Sequence, residues 1–286
     1  MSRYSKPESL EEALSLLGRA EWRVLSGGTD FYPAQGARPV RDDVIDIAGI
    51  SLLRGIEMRP DGLWIGARTT WTDIVRAELP PACDALKEAA REVGSVQIQN
   101  VGTVAGNLCN ASPAADGVPP LMMLDAEVEL RSTEATRRLA LGEFILGNRR
   151  TARRSDELVT AVVIPTGALA GQSAFCKLGA RRYLVISIAM AAARLVIENG
   201  RVKKASVAIG ACSEVARRLP ELERDLVGAQ ADDGLLARIG DRHFDVLKPI
   251  DDVRGSAEYR REAAREIVAE ALKRALSGTP PARVAA

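Results

Sequence analysis

Residues 101–116 read VGTVAGNLCNASPAAD, a stretch rich in Gly, Asn, Ser and Pro whose single charge is Asp116. A solvated loop of this length normally carries more charge, so the segment is expected to be a loop packed against something. Its side chains offer three complementary chemistries. Thr103 and Ser112 can donate to phosphate oxygens, Asn107 can donate an amide N–H, and Asp116 can accept from two adjacent ribose hydroxyls. A diphosphate joined to a ribose suits that set. A plainer reading of Asp116 also stands, as the cap of a helix over residues 118–124.

Upstream lies a second glycine-bearing segment, Ser26-Gly27-Gly28-Thr29-Asp30, behind a short strand over residues 23–25. Positions without a Cβ let backbone N–H groups approach an anion, although a glycine pair alone also fits a tight turn. Neither GxGxxG nor GxxxxGK[ST] occurs, so a Rossmann site or nucleotide-hydrolysing loop has no support. Around these segments, Ser9 and Glu12 form a capping-box pattern for a helix over 9–18, and residues 44–47 read as a strand. Asp61-Gly62 marks a turn into a strand over 63–65, Thr70 and Asp73 start a helix, and 85–93 reads as another. Downstream, the apolar run 158–164 ended by Pro165 predicts a buried strand, and residues 166–172 read as the connection between domains. Asn199-Gly200 between apolar runs 186–197 and 202–209 predicts a hairpin within a three-stranded meander, and 256–276 an amphipathic helix.

Composition narrows the function classes. With 286 residues, 47% of them hydrophobic, the chain can bury a sizeable core. Lys plus Arg number 39 against 38 Asp plus Glu, so there is little general attraction for nucleic acid or an anionic membrane. No apolar run approaches the roughly 18 residues of a membrane helix, and the N-terminal stretch lacks a signal-peptide core, so a cytoplasmic location is expected. Cys83, Cys109, Cys176 and Cys212 are far apart and His243 is the sole histidine, which argues against metal sites, disulfides and His-dependent nucleophilic triads. His243 reads as structural or solvated, Cys109 as a packed small residue, and Trp64 and Trp71 as core.

LSGGTDFYP (25–33), GTVAGNLCNASPAAD (102–116), FCKLGARR (175–182) and RGSAEYRR (254–261) together resemble the FAD-binding medium subunit of the molybdenum hydroxylases, the family of the carbon monoxide and xanthine dehydrogenase flavoproteins. The resemblance implies an α+β fold. Residues 1–166 would form an FAD-binding domain of the vanillyl-alcohol-oxidase-like type, with subdomains 1–55 and 56–166. Residues 173–278 would form a CO dehydrogenase flavoprotein-like C-terminal domain with a three-stranded antiparallel sheet and helices, leaving 279–286 as a frayed tail and the flavin between the domains. It also implies cofactor contacts at Leu25, Ser26, Gly27, Gly28, Thr29, Asp30, Val93, Thr103, Ala105, Gly106, Asn107, Ser112, Asp116 and Val159. Lys177 would tune the isoalloxazine ring, against a plainer reading as a solvated strand residue. Arg181-Arg182 likewise reads as a solvated turn. Two positions depart from the family pattern: Ala105 replaces a glycine, which would strain the loop if φ were positive, and Gln99 replaces a common arginine that contacts a neighbouring subunit or loop.

The implied function is electron relay. A large molybdenum-cofactor subunit oxidises substrate, a small iron-sulfur subunit passes electrons, and FAD on this chain delivers them to NAD+, a quinone or another acceptor. The assembly would be a heterotrimer, or a dimer of heterotrimers. The rival readings are a self-contained FAD-dependent reductase of the same fold class and a non-catalytic nucleotide-binding scaffold.

Overall fold

The structure, a computed structural model, describes residues 2–278. The expected fraying of 279–286 lies outside the described residues. At the N-terminus β1 (Tyr4–Ser5), α1 (Leu10–Arg19), β2 (Arg23–Leu25), α2 (Phe31–Gln35) and β3 (Val44–Asp46) build a small unit around a parallel sheet of order β1-β3-β2. The Ser9 hydroxyl accepts from the Glu12 N–H and caps α1, whose Leu10, Ala13, Leu14 and Leu17 recur at helical spacing and are all buried. They pack with Trp22, Ile45, Ile47, Ile50 and Leu53, and Leu158 joins them from the next unit.

The middle of the chain runs β4 (Ile56–Arg59), β5 (Gly62–Gly66), α3 (Trp71–Arg76), α4 (Asp84–Glu92), α5 (Val96–Val101), α6 (Val104–Asn110), α7 (Val118–Met123), β6 (Glu127–Arg131), β7 (Thr136–Ala140), α8 (Leu141–Phe144), β8 (Ile145–Gly147), β9 (Arg150–Thr151) and β10 (Leu158–Pro165). Its five-stranded sheet has the order β4-β5-β10-β6-β7, and β10 takes the centre because residues 158–164 are buried on both faces. Thr70 and Asp73 form the expected capping box at the start of α3.

The last unit holds β11 (Gln172–Leu178), β12 (Ala189–Glu198), β13 (Arg201–Gly210), β14 (Arg217–Arg218), α9 (Pro220–Leu226) and α10 (Ala257–Ser277). Successive side chains of a strand face opposite ways, and β12 uses both faces. Ala189, Ala191, Ala193 and Leu195 pack with Ala264, Val268 and Leu272 of α10, while Met190 and Ala192 join the core that includes α4 and α7. Small residues on β12 allow helices to approach the sheet from both sides, which presses this unit onto the middle of the chain.

Several expectations change. The C-terminal sheet has four strands, β11-β12-β13-β14, because the two-residue β14 is too short to carry a period-two signal. Residues 101–116 are not one loop. Thr103 caps α6 by accepting from the Gly106 N–H at 3.1 Å, and burial of Val104, Ala105 and Leu108 outweighs the roughly 1 kcal/mol helix penalty of Gly106. Ala105 is therefore in a right-handed helix and unstrained; the left-handed residue is Ala111, at the helix end, with φ 47°. Gln99 donates to the Arg91 and Val93 carbonyls at 2.9 and 3.1 Å, so it ties α5 to the end of α4 instead of reaching outward. Trp71 is core, but Trp64 is half-buried on the sheet surface between the guanidinium groups of Arg59 and Arg138, at 4.1 and 4.5 Å. His243 is buried and structural, within 3.0 Å of an Asp225 oxygen and accepting from the Gly240 N–H.

Candidate cofactor site

A cleft of about 1300 Å³ opens where the first two units meet, with residues 184–186 of the third unit on its wall. The two glycine-bearing segments form its floor. Gly27 lies so close to the second segment that a Cβ there would stand 1.9 Å from the Val101 carbonyl oxygen, and Gly28 takes φ +74°, a conformation that favours glycine. The Trp71 N–H donates to the Gly102 carbonyl and the Val104 N–H to the Thr69 carbonyl, pinning the second segment to the start of α3.

Ser26, Gly27, Gly28, Thr29, Asp30, Val93, Thr103, Ala105, Gly106, Asn107, Ser112, Asp116 and Val159 all line this cleft. Leu25 and Lys177 do not; Leu25 is buried behind the first segment. Because the Thr103 oxygen already accepts from Gly106, its O–H remains free to donate outward. The Asn107 Oδ1 is buried without a hydrogen-bond partner and lies against Gly117, and Asn107 lines the cleft. Asp30 is exposed on the cleft lining; partial desolvation raises its carboxyl above the usual carboxylate range, with the charge of Arg149 acting the other way.

Lys177 and Asp116 form one ion pair. The Lys177 Nζ lies 2.7 Å from Asp116 Oδ2, with side chains only 6% and 9% exposed, so the solvated-strand reading of Lys177 fails. Asp116 does not cap the following helix either: α7 starts after Gly117 without a side-chain cap, and the other Asp116 oxygen accepts from the Ser187 hydroxyl at 2.8 Å. Burial pushes the Asp116 carboxyl up, while Lys177 and Ser187 pull it partly back.

Sequence reasoning missed several wall residues. Arg149 lines the cleft from a left-handed backbone, φ 57°, and Leu184, Val185 and Ile186 enter it from the β11–β12 connection. The turn-like Gly147-Asn148 before Arg149 was the one local signal. Cys109 is exposed on the cleft wall instead of packed. Arg181 and Arg182 are exposed, as a solvated turn requires.

The floor fits a dinucleotide cofactor: a backbone cradle that a Cβ would fill, a free hydroxyl donor at Thr103, the polar side chain of Asn107 and a carboxylate at Asp116. Comparison with known proteins agrees. Residues 1–167 match the family described as the FAD binding domain in molybdopterin dehydrogenase, and 174–275 the CO dehydrogenase flavoprotein C-terminal domain. The glyceraldehyde dehydrogenase medium chain of Sulfolobus acidocaldarius is 30% identical over 94% of this chain and 96% of its own length. The nicotinate dehydrogenase FAD-subunit of Eubacterium barkeri is 32% identical over 91% of each. A chain of the reconstituted CO dehydrogenase from Oligotropha carboxidovorans superposes with a TM-score of 0.88 at 27% identity, covering 98% of this chain and 99% of that one. With both domains matched in order along nearly the whole chain, this protein belongs to the family of FAD-binding medium subunits of the molybdenum hydroxylases.

Proposed function

We propose that this chain is the electron-relay subunit of a heterotrimer, or dimer of heterotrimers, in which a large molybdenum-cofactor subunit oxidises the substrate and a small iron-sulfur subunit feeds electrons here. The observation that carries the reading is the single cleft that gathers both glycine-bearing segments and Asp116. Bound FAD would supply an electron store able to exchange with one-electron donors and to deliver to NAD+, a quinone or another acceptor. Residues 1–166 and 173–278 are the proposed domains. The N–H groups of Ser26 to Asp30 would hold the diphosphate, Thr103 would donate to it, and Asp116 would accept from ribose hydroxyls. Val93 and Val159 would offer apolar contact. Lys177 would set the local potential, though its charge is largely balanced by Asp116 at 2.7 Å. A cytoplasmic location belongs to the same proposal; among the described residues no helix is long and apolar enough to cross a membrane.

The test is anaerobic mixing. The isolated chain loaded with FAD should keep its absorbance near about 450 nm, a typical flavin band, when given aldehydes, purines or N-heterocycles. Adding the molybdenum and iron-sulfur partners should bleach it with the right substrate. Bleaching without partners would instead favour a self-contained flavoenzyme.

A further inference from the structure

Ser187 is a small polar residue, 1% exposed, at the C-terminal neck of the connection between β11 and β12. The neck is closed by the backbone: the Ile188 N–H donates to the Leu178 carbonyl at 2.8 Å, so the position of Ser187 is set by the end of the sheet. From there its hydroxyl donates to Asp116 Oδ1 at 2.8 Å, while Lys177, just before the other side of the neck, donates to Oδ2 at 2.7 Å. One carboxylate is thus gripped through both oxygens by donors that bracket residues 178–186. A carboxylate held by one donor can still rotate about its Cβ–Cγ bond. Two donors on different oxygens fix its plane, and each oxygen keeps a lone pair for a further hydroxyl.

We infer that Ser187 is a positioning residue of the cofactor site: with Lys177 it fixes the plane of the Asp116 carboxylate, so the C-terminal unit orients the group that meets a cofactor hydroxyl. The inference rests on the reading of Asp116 as that contact. The site is then shared between units, since Asp116 lies on the cleft wall and both of its donors come from the C-terminal one. A buried serine hydroxyl otherwise carries a desolvation cost with no return from packing.

The charged groups facing Asp116 are few. Lys177 pairs with it from β11, and Glu92, at the end of α4, feels both charges as well as Arg182 of the connection. Ser187 is one of the groups that draw the Asp116 carboxyl downward. Removing that hydroxyl therefore raises the pH at which Asp116 takes up a proton, and with it the pH at which acid releases the cofactor.

The experiment measures FAD affinity and the pH midpoint of FAD release for the full chain, Ser187→Ala, Ser187→Thr and Asp116→Ala. Ser187→Ala should bind FAD about tenfold more weakly, the usual scale for one hydrogen bond to a charged group, and release it at higher pH. Ser187→Thr keeps the hydroxyl and should keep the parent pH profile even if its extra methyl weakens binding. Ser187→Ala that matches the parent, or binds more weakly with an unshifted midpoint, overturns the inference, as does Ser187→Thr with the midpoint of Ser187→Ala. Asp116→Ala that binds like the parent refutes instead the reading of Asp116 on which the inference rests.

Discussion

Replacing Lys177 by Met keeps most of the side-chain volume and removes the ammonium that lies 2.7 Å from Asp116. Both partners are more than nine-tenths buried, so the variant leaves a carboxylate with the Ser187 hydroxyl as its remaining side-chain donor. Breaking one side of a buried pair costs about 3–5 kcal/mol, and the lower end applies here because Asp116 borders a cleft that water can enter. A loss of about 3 kcal/mol corresponds to a fall of roughly 6–12 °C in the midpoint of thermal unfolding for a chain of this size. The sign of its pH dependence follows from Asp116. Its folded-state pKa lies above the ordinary carboxylate value, so burial destabilises the folded protein at pH values above that pKa, and the penalty lifts as pH falls through it. Without Lys177 the folded pKa rises further. The gap between parent and Lys177→Met should therefore be widest near neutrality and should narrow on acidification. Differential scanning calorimetry of the cofactor-free chain at pH 7 and pH 5 reads this directly, with Lys177→Met/Asp116→Asn as a companion that removes the stranded charge and recovers part of the loss. Equal destabilisation at both pH values, together with a double variant no more stable than Lys177→Met, would refute the argument.

Three further outcomes are expected. Gly27→Ala would bring a Cβ within 1.9 Å of the Val101 carbonyl oxygen, so the two segments must separate; FAD titration should show at least a tenfold loss, with about 1–3 kcal/mol of stability lost to overpacking in chemical denaturation. Arg149→Ala removes a cation from the cleft wall and should weaken FAD by a few fold at low salt, with the difference shrinking as ionic strength rises in the same titration. Asp252→Asn strips the carboxylate from Arg260, which is 3% exposed and 2.7 Å away. Stability should fall by about 2 kcal/mol at neutral pH in urea unfolding. Because the Arg254 N–H, with the Arg260 and Arg254 guanidinium groups, holds Asp252 down at about 2, its contribution in the parent is present above the ordinary carboxylate pKa and disappears as pH falls through about 2.

The sequence by itself determined the local elements and the family. Capping at Ser9 and at Thr70 with Asp73, the apolar run of β10, the Asn199-Gly200 turn and the amphipathic α10 are each set by residues within a few positions of one another, where periodicity and turn chemistry act. The glycine pair and the 102–116 motif likewise marked the cleft floor, since a backbone cradle needs particular residue types in a contiguous run. What only the tertiary structure decided was pairing across distance. Asp116 meets Lys177 and Ser187 at separations of 61 and 71 residues, and nothing local to any of the three distinguishes a solvated lysine or a strand serine from a buried donor. The helix within 101–116 belongs to the same class: Gly106 and Asn107 argue for a loop by propensity, and the helix holds because Val104, Ala105 and Leu108 are buried against the core, an energy that exists only once the units are packed together.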